Sequence, residues 1–348
     1  MRQRGNIRRA LCCLQQLACF TAFTVLQACH HGGPDAPFQA YLKARSSALS
    51  IRTPTMNATR LPQLPNEGAW QLEIAASGID GLDMLQVSGC AVQANISKRQ
   101  TSLGQFAKPS QYLFLELEYL RAAPACISRL RNSNDVALAE ILQIAWHEKQ
   151  GQLPAVIFNA TLGSDEYRSF WLALPAPGDY PRSSPETVAS ALHAINEQTR
   201  RWLNGDYRAR NRSVELLLSD VAGGDGGLRL QHWCRQIDWI TAINLMMEQA
   251  LAKSPSSLEY HRNTLALHRA ATAHSYFADV IQPLTTQSQH RLQEVLVPIT
   301  ALETQLSAAL PTLYQDWIID RNQRIAALTN ASGRHLALLR HQQNRPTE

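Results

Sequence analysis

The chain has 348 residues, of which 33 are basic and 28 acidic, so its formal net charge is +5. Four arginines and no acids lie in residues 1–28, so the remainder carries 29 basic and 28 acidic residues and a net charge of about +1. This balance, without a cluster of Lys or Arg interleaved with aromatic residues, argues against a nucleic-acid-binding protein. The roughly 320 residues that remain suffice for one large domain or two.

The first 28 residues have the layout of a secretory signal peptide. An arginine-rich start precedes the apolar run ALCCLQQLACFTAFTVLQA at 10–28, which is interrupted by Gln15 and Gln16. A membrane-spanning helix needs about 20 predominantly apolar residues. Residues 1–28 are therefore predicted to be a cleaved signal, with a plain N-terminal membrane anchor as the alternative.

The end of this run, Leu26-Gln27-Ala28-Cys29, resembles the lipobox of bacterial lipoproteins. The resemblance implies cleavage before Cys29 and attachment of three acyl chains, a durable membrane tether. An ordinary signal peptide with a chance cysteine is the alternative. Residues 29–36 are predicted to be a flexible tether, because Gly, Pro and Asp resist regular structure. In such lipoproteins an aspartate after the cysteine favours the inner membrane. His30 stands there instead, which implies lipid anchoring in the outer membrane, facing the periplasm.

The cysteines predict one internal disulfide. They lie at positions 12, 13, 19, 29, 90, 126 and 234. Removal of the signal and lipidation at position 29 leave Cys90, Cys126 and Cys234 in an oxidising compartment. Cys90 and Cys126 fall on two predicted helices whose antiparallel packing would bring the sulfurs together. We therefore expect a Cys90–Cys126 disulfide and a buried, reduced Cys234, with three free thiols as the alternative.

Helical periodicity dominates the first half of the mature chain. Predicted helices cover 37–50, a stretch from 80, a stretch from 109, 136–149 and 185–204. Pro124 is expected to kink or break the helix that begins at Pro109. Ser184 and Pro185 suit the N-cap and first turn of the best-formed helix. Residues 153–162 fit either helix or strand.

Between the first two predicted helices the chain is expected to be extended. Residues 52–68 are rich in proline and turn-forming residues and are predicted to be extended surface chain. The segment Trp70–Ile74, WQLEI, alternates apolar and polar side chains and predicts one short strand.

The second half is also predicted to be helical. The sequence GGDGG at 223–227 lacks the Lys and Ser/Thr of a phosphate-binding loop and is predicted to end a helix. Further helices are expected over 257–278 and in two stretches that continue to about residue 328. The predicted fold is thus mainly α, a multi-helix bundle-like body over 37–348 with a short extended N-terminal segment. One option is a division into two lobes, 37–205 and 206–348.

Several short motifs occur in an order that resembles a known family. They are LPQLP (61–65), Cys90, SLG (102–104), PSQ (109–111), Cys126 and IQP (281–283). Their order resembles that of an uncharacterised family of gammaproteobacterial lipoproteins known only as a domain of unknown function, DUF3080. The resemblance implies a lipid-anchored, mainly helical envelope protein and supplies no catalytic residues.

The sequence gives no catalytic, metal or cofactor site. His147-Glu148 begins like a zinc-binding HExxH motif, but Gly151 occupies the position of the second histidine. His261, His268 and His274 are spaced by seven and six residues, which does not suit a two-residue metal clamp on a helix. We therefore expect no catalytic residues, no metal and no cofactor.

Two functions remain open from the sequence. The first is a non-catalytic envelope lipoprotein that docks a protein partner, with no nucleic acid involved. Its expected docking surface lies between Leu228 and Leu328, with Arg321, Arg324 and Arg334 as candidate polar contacts at the rim. The second is an unrecognised enzyme or small-ligand binder acting on cell-wall material, since a chain of this size has room for a cleft.

Overall fold

The structure is a computed structural model that describes residues 33–56, 60–66, 68–77, 87–172, 183–253, 272 and 274–343. All regular elements in these ranges are helices, so the mainly α fold predicted from the sequence is confirmed. The signal, Cys29, His261 and His268 lie outside the described residues. None of the described helices is both long and apolar enough to cross a bilayer.

The helices are numbered in chain order. They are α1 (Ala36–Leu49), α2 (Ala91–Gln100), α3 (Ser102–Gln105), α4 (Pro109–Asn132), α5 (Val136–Ala160), α6 (Asp165–Leu172), α7 (Pro185–Leu203), α8 (Asn211–Ala222), α9 (Gly226–Lys253), α10 (Gln282–Gln305) and α11 (Thr312–Gln343). A π-helical segment, Phe277–Ile281, leads into α10, and a 3-10 turn, Ser307–Ala309, follows it.

The chain forms two compact units, and both are discontinuous in sequence. Of the described residues, those within 33–56, 235–284 and 330–343 belong to unit 1, whereas those within 60–234 and 285–329 belong to unit 2. The two lobes considered from the sequence are each continuous stretches, so they follow a different division of the chain.

Unit 1 has a buried polar network centred on His335. The Nε2 atom of His335 lies 2.7 Å from the hydroxyl of Tyr41, and Nδ1 lies 2.7 Å from Oδ1 of Asn244. Since Nδ2 of Asn244 donates to the carbonyl of Ala331, its Oδ1 is free to accept from Nδ1–H of His335. Burial lowers the pKa of His335 to about 3, and the charge of Arg45 adds to the effect. The imidazole is therefore neutral in the folded protein.

Unit 2 is built around the pair α4 and α5, with α2 packed on α4. The Sγ atoms of Cys90 and Cys126 lie 2.06 Å apart, at bonding distance, within an apolar cluster. Cys90 is the N-cap residue of α2 and Cys126 lies inside α4. Cys234 is buried and is not part of a disulfide.

The strand predicted for Trp70–Ile74 is wrong. The backbone of Leu72 does not pair with another strand. Its N–H and C=O groups bond instead to the side-chain amide of Asn159 on α5, at 2.8 and 2.7 Å. Leu72 and Ile74 are half-buried while Gln71 and Glu73 are exposed. The alternation therefore reflects an extended chain with one side on a helix, not strand pairing.

Three helix predictions are settled by the structure. Helix α4 continues through Pro124 to Asn132, so no break occurs there. Residues up to Ala160 belong to α5, which resolves the ambiguous stretch as mostly helical. The N-cap predicted for α7 is confirmed, because Ser184 Oγ accepts from the Thr187 amide at 3.2 Å.

The GGDGG sequence forms the predicted turn after α8 with its first three residues, and its last two glycines begin α9. Its last glycine is required by a close approach, not by an unusual backbone angle. A Cβ at Gly227 would lie 2.0 Å from the carbonyl oxygen of Trp171 on α6. The turn therefore allows the start of α9 to touch α6.

The expectation that Arg321 contributes to a polar rim is wrong. Its side chain is fully buried in unit 2 and donates to both carboxylate oxygens of Glu303, at 2.8 and 2.9 Å. The guanidinium also lies over the ring of Trp317, 4.9 Å from its centroid. A buried arginine is tolerated here because a carboxylate and an aromatic face replace its water.

Candidate functional site

A partly open cavity of about 510 Å³ lies in unit 2, within the range of 300–1,000 Å³ that is usual for small-ligand sites. Helix α2, the α2–α3 junction, helix α4 and the segment 206–211 form its walls. The lining residues are Lys98, Thr101, Gly104, Ala107, Gln111, Phe114, Leu115, Leu117, Glu118, Arg121, Tyr207, Ala209 and Asn211.

The floor of the cavity is one face of α4. Gln111, Phe114, Leu115, Glu118 and Arg121 are spaced by three or four residues, which places their side chains on the same side of a helix. Phe114 is buried and Leu115 is half-buried. The inner part of the floor is therefore apolar, whereas Glu118 and Arg121 supply charge.

A buried ion cluster lies on the opposite face of α4. Glu116 contacts Arg99 at 3.0 Å and Lys149 at 3.0 Å, so one carboxylate joins α2, α4 and α5. Burial raises the pKa of Tyr112, and the neighbouring Glu116 carboxylate raises it further. These contacts hold α4 in place behind the cavity.

The edge next to α3 depends on a glycine. A Cβ at Gly104 would lie 2.1 Å from the carbonyl oxygen of Lys98, so only glycine allows α3 to fold this closely onto α2. Thr101 stabilises the same corner, since its hydroxyl donates to the Lys98 carbonyl at 2.7 Å and accepts from the Gly104 amide at 3.1 Å.

The remaining wall is the extended segment before α8. Tyr207, Ala209 and Asn211 line the cavity at alternate positions, while Arg208 and Arg210 between them are exposed. The segment is held from both sides. Gln150 of α5 donates to the Tyr207 hydroxyl at 2.9 Å, and Trp202 of α7 donates to the Arg208 carbonyl at 3.2 Å.

The mouth of the cavity carries an excess of positive charge. Lys98 and Glu118 pair with each other at 2.8 Å. Arg121, which also lines the cavity, makes no ion pair within the described part of the chain. Its guanidinium group is thus available to an anion.

The comparison with known proteins identifies the family. A family model described as "Protein of unknown function (DUF3080)" matches residues 38–339, most of the chain. The chain belongs to the DUF3080 family. No curated protein and no solved structure matches it. The resemblance drawn from the short motifs is therefore confirmed, and two of those motif residues of this DUF3080 protein, Gly104 and Gln111, line the cavity.

The C-terminal half of the DUF3080 protein contains a smaller groove in the region where a docking surface was expected. It has a volume of about 210 Å³ and lies between α9, α10 and α11 within unit 2, with Trp233, Leu292, Leu296 and Ile325 among its lining residues. Its use for docking stays a prediction.

The other two candidate rim arginines pair with acids. Arg324 contacts Asp320 at 3.0 Å, and Arg334 contacts Glu248 at 2.5 Å. Among the described residues no group of three or more His, Cys, Asp or Glu side chains is arranged to hold a metal ion.

Sequence reasoning did not find the cavity. The apolar stripe predicted on α4 was Leu113, Leu117 and Leu120, all of which are buried, and of the three only Leu117 borders the cavity. A second stripe from Gln111 to Arg121 mixes apolar and charged side chains, and a sequence pattern of that kind is typical of an ordinary solvent-exposed helix face. The alternation of Tyr207, Ala209 and Asn211 was the other available signal.

Proposed function

We propose that this DUF3080 protein is a lipid-anchored envelope protein on the periplasmic face of the outer membrane, with a non-catalytic binding role. The anchor is supported by the sequence Leu26-Gln27-Ala28-Cys29 and by the arginine-rich apolar stretch before it. Attachment by lipid confines the folded body to a thin layer and raises its effective concentration for neighbours in that layer.

The binding role rests on one observation, the cavity of about 510 Å³ in unit 2. It has a mainly apolar floor with a few polar groups at its edge, which is the usual composition of a small-molecule site. Its walls are fixed by the Glu116 ion cluster and the tight Gly104 corner rather than by loose loops. Such a preformed site loses little entropy when it binds. The proposed occupant is another component of the envelope.

Docking of a partner protein remains the second candidate. It is supported by the groove beside Trp233, which is lined by apolar side chains of α10 and α11. This groove has less than half the volume of the cavity, so the cavity is the preferred site.

Photo-crosslinking in intact cells tests the binding role. The crosslinker p-benzoylphenylalanine is placed at Gln111, which lines the cavity, and in a matched strain at Ile144, which is exposed on α5. We expect an adduct of defined added mass at position 111 that is missing at position 144. Equal adducts at both positions, or none at 111, would refute the proposed binding role.

A further inference from the structure

The lining of the cavity indicates the chemistry of its occupant. We propose that the cavity binds a small anionic amphiphile, a single apolar chain that carries one negatively charged headgroup. This inference rests on the proposed binding role of the same cavity and specifies its ligand class. Three observations support it: the apolar floor, the unpaired Arg121 at the mouth and the limited volume.

The floor suits an apolar chain. Phe114, Leu115 and Leu117 line it, and the small side chains of Ala107 and Ala209 leave space opposite them. Apolar contact of this kind is favourable because it removes hydrocarbon from water. No buried polar side chain among the lining residues would lose its hydrogen bonds to such a chain.

Apolar surface continues outside the cavity. Phe106 follows α3, next to the lining residue Ala107, and its side chain is 84% exposed. A large aromatic side chain so exposed at the edge of an apolar floor gives the emerging part of a chain a further surface to contact.

The mouth suits an anion. Lys98 and Arg121 supply two positive charges, and Glu118 supplies one negative charge, so the lining carries a net positive charge. The planar guanidinium group binds carboxylate and phosphate oxygens through two parallel hydrogen bonds. A cationic headgroup would instead meet an excess of like charge.

The volume favours one chain taken up as a monomer. About 510 Å³ lies within the range for small ligands. The floor offers only three large apolar residues, so it can cover one chain along its length. The headgroup then lies near Arg121, at the outer end of the α4 face.

Isothermal titration calorimetry on the full chain carrying Cys29→Ser, free of detergent, tests this inference with two probes that share one tail. The probes are sodium dodecanoate and dodecyltrimethylammonium chloride, both below the concentration at which they form micelles. We expect dodecanoate to bind at least tenfold more tightly. In Ala209→Trp, which fills the cavity, dodecanoate binding should weaken at least tenfold, whereas Ala137→Trp at an exposed position of α5 should leave it unchanged.

The contribution of positive charge to binding is tested separately by substituting two exposed arginines of α4. Arg121→Gln should weaken dodecanoate binding about two- to fivefold, the range expected for a solvent-exposed charge pair. Arg131→Gln, at the far end of α4 and outside the cavity, should change it by less than the error of the measurement. An equal loss in both variants would overturn the assignment of the headgroup to Arg121.

Three outcomes would overturn the proposal. Equal binding of both probes, blocked by Ala209→Trp, would keep the cavity as a binding site but refute the anionic class. If neither probe binds but the crosslink at position 111 still forms in cells, the proposal that the ligand is an amphiphile is refuted, whereas the binding role of the cavity is not. Binding of phosphatidylglycerol vesicles to the wild type and Ala209→Trp alike, without binding of dodecanoate, would show that Arg121 and other exposed basic residues contact a bilayer surface instead.

Discussion

The sulfur atoms of Cys90 and Cys126 lie at bonding distance. The chain between these two cysteines, which are 36 residues apart, contains most of the residues that line the cavity. Ten of the thirteen lining residues, from Lys98 to Arg121, lie between the two cysteines. The link fastens the start of α2 to the second half of α4, the two helices that bear Lys98 and the cavity floor. A covalent connection at this position therefore supports the binding site as well as the fold.

Loss of this link should lower stability substantially. For the double variant Cys90→Ser/Cys126→Ser we expect the free energy of unfolding in urea to fall by roughly 3 to 4 kcal/mol, because closing a loop of this length restricts the unfolded chain. Peptide mapping of the unreduced wild type provides the control and should yield one linked species. Two separately alkylated peptides would mean that the thiols are free in the mature protein.

The buried pair of Glu303 and Arg321 should contribute far more to the free energy of unfolding than an exposed pair nearby. Burial disfavours the charged guanidinium, but hydrogen bonds and the charge of Glu303 outweigh it and raise the pKa of Arg321. Glu303→Gln leaves a buried positive charge without its counter-ion, so we expect a loss of about 3–5 kcal/mol in unfolding free energy.

The matched control for that substitution is Asp320→Asn. Asp320 pairs with Arg324 on the solvent side of α11, and an exposed pair contributes about 1 kcal/mol or less. Both variants can be compared by urea unfolding followed by tryptophan fluorescence, since Trp317 lies against Arg321. Similar losses in the two variants would show that burial does not govern the Glu303 pair.

The sequence predicted local structure well where several local signals agreed. Ser184, Pro185 and the apolar stripe of α7 all indicate the same helix, and the structure contains it with the predicted cap. Proline at position 124 was a weaker signal, because the packing of α4 against α5 and α2 keeps the helix intact around it. Local propensity is informative, but tertiary packing overrides it.

Long-range pairing was not predictable from the sequence. An arginine on a helix face is usually solvated. No sequence pattern near Arg321 indicates that it pairs with Glu303, which lies on another helix. The alternation at Trp70–Ile74 predicts a short strand, yet the backbone partner of Leu72 is the side chain of Asn159, far along the chain. The cavity was missed for the same reason, since its walls come from segments that only the fold brings together.

Acid should destabilise unit 1 through His335. The pKa of His335 is about 3 in the folded protein and about 6.5 in an unfolded chain, so its contribution to stability is present above pH 6.5 and is lost as the pH falls toward 3. Between pH 7.5 and 5.5 the loss from this residue alone should be about 1.4 kcal/mol. Urea unfolding at the two pH values, followed by circular dichroism, measures it.

His335→Gln serves as the comparison for this pH effect. The amide of glutamine can still hydrogen-bond but does not titrate, so the variant should be less stable at pH 7.5 and should lose about 1.4 kcal/mol less than the wild type on acidification. Arg45, His274 and Tyr41 face the same imidazole and remain unchanged in the variant. An identical pH dependence in both proteins would show that His335 is not buried in its neutral form.

Attachment through Cys29 decides where the protein acts, and metabolic labelling with an alkyne-bearing palmitate measures it most directly. Cells that express the wild type or Cys29→Ser are labelled, and their membranes are then separated by density. We expect the wild type to carry the label and to sediment with the outer membrane, and Cys29→Ser to lack the label. A wild-type protein that is unlabelled and soluble after lysis would contradict lipid anchoring and, with it, the proposed role in the envelope.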